Sequence, residues 1–139
     1  MGGMEMIDFL NEIFTTVAKS VRKAHPGTTV SGEYTRSPSK FPTVTLDETL
    51  NVMVDTLVDS SHEDKFAGVT YRLQVFSNKQ QGKKAEARAI FATADAEMRQ
   101  MGFRRVTYTT TPEIYESTIY NITATYEGVL STPGYVYKR

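Results

Sequence analysis

Cysteine is absent from this 139-residue chain and histidine occurs only twice. Without cysteine there is no disulfide, no thiolate zinc site and no thiol nucleophile. Net charge is missing too. Sixteen Lys and Arg balance sixteen Asp and Glu, which argues against sequence-independent binding of free nucleic acid by the surface as a whole. No apolar run approaches the roughly 20 residues needed to cross a bilayer, and the first residues lack the basic region, apolar core and cleavage site of a secretory signal. The expectation is a protein that neither spans a membrane nor leaves the cell by that route. Met6 stands where a myristoylation signal requires Ser or Thr, so no lipid anchor is expected. Met1-Gly2-Gly3 is assigned no role.

Catalytic constellations are lacking as well. His62, Glu63 and Asp64 are consecutive, and three adjacent loop side chains do not converge on one ion. Asp47 and Glu48 are neighbours in a stretch that alternates like a strand, so they point to opposite faces rather than into one cleft. Gln81-Gly82-Lys83-Lys84 shares only its Gly-Lys with a phosphate loop, since the upstream glycine and the following Ser or Thr are missing. With one histidine at a helix end and the other in a loop, no Ser-His-Asp triad is suggested. The residues point to no catalytic, metal or cofactor site, and to a protein that is not an enzyme.

What is present is a closely spaced run of elements. Phe66, Val69, Tyr71, Leu73 and Val75 recur at nearly every second position, the period of a half-buried strand. Ser77 and Asn78 offer side-chain oxygens for a helix start. Ala87, Ile90, Phe91, Ala94, Met98 and Met101 then form one helical stripe. Gly102 sits where a left-handed cap ends a helix, and Phe103 can fold back on the last turn. Residues 104–111 are β-branched or aromatic at Val106, Thr107, Tyr108 and the three threonines that follow, which suits a strand with one solvated face, and Thr111-Pro112 breaks it. From Glu113 to Gly128 a second strand sets Thr118, Tyr120, Ile122, Ala124 and Tyr126 toward the helix.

The preceding half is legible in the same terms. Met6, Leu10, Ile13, Phe14, Val17 and Val21 form an amphipathic stripe from Met6 to Ala24, closed by His25-Pro26-Gly27. A strand is expected near Thr28–Thr35, then an exposed turn around Ser37-Pro38-Ser39. In the run Thr43–Val58, Val44 and Leu46 alternate as in a strand, whereas Leu50, Met53, Val54 and Leu57 fit a helical stripe equally well; strand is the reading over most of it. Ser60–Lys65 is a polar connection of hairpin size. The implied order is α-β-β-β-α-β-β, an α+β fold with two helices on one face of a mostly antiparallel or mixed sheet of about five strands. Length and a hydrophobic content of 40% suit a single domain spanning 1–139. Residues 131–139 form a short tail that pairs with a neighbouring subunit or stays loose.

Charge is segregated along the chain. Between Lys79 and Arg105 seven basic residues stand against three acidic ones, a net +4, and between Thr43 and Lys65 six acidic residues stand against one basic, a net −5. Lys79, Lys83 and Lys84 lie at the start of the second helix, where the helix dipole disfavours cations by about 0.3–1 kcal/mol each. Either they extend into water from a solvated helix end, or a basic edge with Lys79, Lys83, Lys84 and Arg88 meets an acidic edge with Asp47, Glu48, Asp55 and Asp59 on the next copy. Head-to-tail contact of unlike surfaces generates a ring when the rotation closes. Tyr115, Tyr120, Tyr126, Tyr135 and Tyr137 are candidate interface anchors, although Tyr120 and Tyr126 suit a core equally.

The run Tyr71-Arg72-Leu73-Gln74-Val75-Phe76-Ser77, the Ala-rich helix from Ala85 to Met98, Met101-Gly102-Phe103-Arg104-Arg105, and Ile119 to Gly128 resemble the tail terminator, or tail completion, proteins of long-tailed bacteriophages. The Phe41-Pro42 strand entry and the leading helix are similar to that family too. The resemblance implies a virion protein that forms a ring, six-membered when assembled, on the last ring of the tail tube protein. It implies a surface for the neck or head-closure protein, DNA passing through the lumen without sequence-specific binding, no cofactor, and synthesis in the bacterial cytoplasm. Two alternatives remain open at the level of sequence. One is a head-closure or minor capsid connector. The other is a small α/β module with Lys83, Lys84, Arg88, Arg104 and Arg105 as an anion or nucleic-acid site.

Overall fold

A computed structural model describes residues 10–36, 38–53, 66–112, 119–131 and 135–137. Helix α1 runs over Leu10–Ala24, strand β1 over Thr29–Ser31, β2 over Thr43–Met53, β3 over Phe66–Ser77, helix α2 over Lys83–Gln100, β4 over Arg104–Pro112, β5 over Tyr120–Ser131 and β6 over Tyr135–Tyr137. The fold is α+β in the expected order, with one addition. Tyr135–Tyr137, in the tail expected to pair with a neighbour or stay loose, pairs antiparallel with β5 of its own chain.

The sheet order is β1-β2-β3-β5-β4, with β6 joined to β5. Among the described strands only β1 and β2 are parallel; the remaining ladders are antiparallel. The period-two pattern of β3 places Val69, Tyr71, Leu73 and Val75 on the buried side, beside Val44 and Leu46 of β2 and Ile122, Ala124 and Tyr126 of β5. Both helices cover that face. Ile13, Val17, Ala18 and Val21 of α1 and Ala87, Ile90, Phe91, Ala94 and Met98 of α2 complete one continuous core. Burying such side chains stabilises by about 1.5–3 kcal/mol each, which offsets the loss of chain entropy.

The run Thr43–Met53 is strand, and residues 54–58 of that ambiguous stretch lie outside the described residues. Its ladder with β3 is irregular between Glu48 and Leu50. The first strand is confined to Thr29–Ser31, shorter than the expected Thr28–Thr35.

The two ends of α2 are built differently. Its C-terminus is a Schellman turn: Gly102, at φ 100, donates its N–H to the Arg99 carbonyl, and Phe103 donates to the Met98 carbonyl at 3.1 Å. Phe103 folds back into the core, edge-on to Tyr71 with ring centroids 5.4 Å apart. This close approach requires Gly128 opposite, because a Cβ there would lie 2.6 Å from the Phe103 ring. At the N-terminus the expected capping by Ser77 or Asn78 does not occur. Gly82 is the cap, at φ 92 and without a side-chain hydrogen bond. Ser77 ends β3, and its hydroxyl donates instead to Glu86 Oε1 at 2.6 Å in the first helical turn.

Candidate functional site

Lys79 precedes α2, Lys83 and Lys84 open it, and Arg88 follows one turn later. Lys79, Lys84 and Arg88 are exposed and Lys83 is half-buried. None of the four has a carboxylate within ion-pair distance among the described residues. The basic edge therefore carries positive charge unbalanced by any described residue, at the helix end where the macrodipole is least favourable to it. Glu86 is the single acidic residue of that turn, and it is engaged by Ser77.

The acidic side is organised differently. Asp47 accepts two hydrogen bonds from Arg72 across the β2–β3 ladder, at 3.1 and 2.6 Å, the forked geometry that makes guanidinium–carboxylate pairs specific. Glu48, the next residue, stands opposite Tyr71 in the register and on the other side of the sheet. Asp55 and Asp59 lie outside the described residues, as do His62, Glu63 and Asp64. Lys79, Lys83, Lys84 and Arg88 thus share one end of α2, while Asp47 belongs to a cross-strand pair on the face away from the helices.

Arg104 and Arg105 do not join the lysines. An 18-residue helix is about 27 Å long, and these arginines follow its far end. Arg104 pairs with Glu127. Arg105 donates to Asp95 Oδ1 at 3.1 Å, an oxygen that also accepts the Tyr126 hydroxyl at 2.5 Å. Asp95 is buried in the apolar stripe of α2, although its sequence position marks it as one more surface charge. Burial, followed by the hydrogen bond and negative charge of Asp95, pushes the Tyr126 phenol well above its ordinary value. The five cations of an anion-binding module are therefore split between two ends of a helix, and two of them are already paired.

The face away from the helices is polar. Thr107 and Thr125 share a hydrogen bond at 2.7 Å, Thr109 donates to the Thr123 carbonyl, and Thr45 donates to Gln74 Oε1 at 2.7 Å. Toward one end, Leu50 and Val52 are half-exposed beside Gly68 and Val129, and they line a groove of about 430 Å³. Toward the other end, Tyr34 and Arg36 lie over the sheet, and Arg72 stacks on Tyr34 with its Cζ 3.9 Å from the ring centroid. Among the described residues no group of three His, Asp or Glu could hold a metal ion, and no helix is long and apolar enough to cross a membrane.

No protein-family model matches the chain, and no curated protein sequence matches it. Among solved structures, a chain of the virion of a native gene transfer agent particle has the same fold. The TM-score is 0.54 and the identity 14%, over 88% of this chain and 92% of that chain. At that identity the likeness establishes the fold.

The tyrosines expected at an interface divide. Tyr126 is fully buried in the core and Tyr120 packs against it, half-buried. Tyr135 and Tyr137 belong to β6, and Tyr115 lies outside the described residues. His25 at the end of α1 hydrogen-bonds Thr93 of α2 at 2.9 Å, tying the helices together. Sequence reasoning missed the setting of Arg36 and Asn121. The signal available for both was only that a polar side chain sits near a strand that should alternate, which does not say what covers it.

Proposed function

We propose that this chain is a non-enzymatic structural protein of a phage-like virion, a tail terminator that closes the tail tube as a ring at its head-proximal end. The observation that carries the reading is the fold, shared over nearly the whole of both chains with a component of a gene transfer agent virion. The residue-level resemblance to tail terminators in β3, α2, the Gly102-Phe103 stop and β5 narrows the role. Three features of the surface support a ring. The basic edge of α2 lacks partners among the described residues of its own chain. The outer edges of β2, beyond Thr45, and of β4 have no described strand partner, and unpaired edges are ready templates for a second chain. Leu50 and Val52 place apolar surface beside the β2 edge.

In this reading Lys79, Lys83, Lys84 and Arg88 of one copy meet an acidic surface of the next, with Asp55 and Asp59 as candidates and with Asp47 and Glu48 at its border. The contact is heterologous, and in this reading its rotation closes, giving a ring of six copies when assembled and not an open filament. One ring face docks on the tail tube protein and the other meets the neck or head-closure protein. DNA passes through the lumen without base-specific contacts. The ring assembles in the bacterial cytoplasm and stays in the virion. Light scattering coupled to size exclusion tests this. A ring-sized mass, alone or on addition of tail tube protein, is expected for the native chain, and monomer for Lys83→Glu with Lys84→Glu at a melting temperature no lower than the native one, since acidic residues suit a helix N-terminus. A monomer indifferent to tube protein refutes the reading.

A further inference from the structure

A recess of about 340 Å³ lies on the polar face of the sheet beneath Tyr34 and Arg36, lined also by Arg72, Gln74, Phe76 and Asn121, with Thr123 beside them. Its hydrogen-bonding groups are unevenly used. Gln74 Oε1 accepts the Thr45 hydroxyl and Asn121 Oδ1 accepts the Thr123 hydroxyl at 2.8 Å, so the acceptor atoms of both amides are occupied. Asn121 is only 8% exposed, and its Nδ2 has no hydrogen-bond partner among the described residues. Buried donors left in that state are rare in folded proteins, and each one asks for an explanation. Arg36, at the rim, has no carboxylate partner among the described residues. Arg72 is spoken for: Asp47 holds its fork and balances its charge, and Tyr34 stacks on its plane.

The unused groups define the complement. They are the Asn121 NH₂, enclosed beneath the floor so that a neighbouring side chain must shift for a ligand to reach it, and a guanidinium at the mouth, one net positive charge with donors only. A doubly charged phosphate would be under-neutralised here. A single planar carboxylate matches both the charge and the fork of Arg36, while Phe76 and the Tyr34 ring offer apolar wall to a short hydrocarbon stem. We propose that this recess is a binding site for a carboxylate carried on a short hydrocarbon stem. The carboxylate comes either from a free small organic acid or from an Asp or Glu side chain of a partner protein. The site stands on the chain's own donors, independent of ring formation.

The test is a titration of the isotope-labelled full chain, following the Asn121 side-chain NH₂ signals by NMR. The probes are the α-amide of N-acetylglutamate, its glutamine counterpart, inorganic phosphate, and a short peptide with one central Glu. A saturable shift with the glutamate probe is expected, with none from the glutamine counterpart and little from phosphate. Arg36→Gln, an exposed position, should melt like the native chain and weaken binding by about tenfold or more. A peptide binding at least about tenfold tighter than the free probe identifies a protein-borne carboxylate, and equal binding identifies a free acid. The proposal is overturned by the absence of a saturable shift, by an equal response to the glutamine probe, or by an Arg36→Gln chain that binds as the native one does.

Discussion

Tyr126 and Asp95 meet beneath α2 in a contact that ties the second helix to the central sheet, with Arg105 as the third member. Because the phenol is buried and donates to a carboxylate, its ionised form is disfavoured in the folded chain and its pKa is raised. The sign of the pH effect follows. A group whose folded pKa exceeds its unfolded value contributes stability that is fully present below the unfolded pKa, near 10 for tyrosine, and is lost as pH climbs above it. Tyr126→Phe should therefore lower stability at neutral pH by about 1–2 kcal/mol, since one hydrogen bond to a carboxylate is removed while Arg105 still satisfies Asp95. Urea unfolding measures this directly. Above about pH 10 the native chain should lose stability more steeply than the variant; parallel curves would mean that Tyr126 is not the group being titrated.

Among the elements, β2 contains the least regular stretch of the sheet. Before the irregularity at Thr49, Val44, Leu46 and Glu48 stand on the helix side, opposite Val75, Leu73 and Tyr71. After it, Leu50 and Val52 stand opposite Thr70 and Gly68, on the other face. An extra residue in a strand flips the phase of every side chain beyond it, which is why this run matched helical and strand templates equally as sequence. By contrast, β3, the stripe of α2, the Gly102-Phe103 stop and the apolar phase of β5 kept one period throughout, and each was legible. The start of α2 was misread because Ser77 suits a cap by residue type, yet it ends a strand and its hydroxyl is taken by Glu86. The three-residue β6 is too short to show a period. The lysine edge of the candidate site was visible as charge, whereas the pairing of Asp47 with Arg72 and of Asp95 with Arg105 depends on register and burial, which composition does not encode. The exposed half of β2 leads to a further expectation. In the isolated subunit, alternate amides from Leu46 to Met53 should exchange with solvent far faster than those of β3 and β5, which are paired on both sides. Assembly should slow them. Hydrogen exchange that leaves β2 equally unprotected in the assembled form would remove this edge from the subunit contact.

At the scale of the whole molecule, net neutrality conceals an uneven pairing of charge among the described residues. The cations at the start of α2 are unpaired among the described residues, while the arginines after its end are consumed by Asp95 and Glu127. A chain made this way is suited to meeting a differently charged surface, and among the described residues Leu50 and Val52 add apolar surface to an otherwise polar, threonine-rich sheet face. The account's central claim is termination, and the most direct measurement is the length of tail tubes polymerised from purified tube protein with increasing amounts of this chain, read by electron microscopy. The account predicts tubes that shorten in proportion to added subunit and carry a ring at one end, with both effects lost for Lys83→Glu with Lys84→Glu. Tubes of unchanged length with bare ends would contradict it.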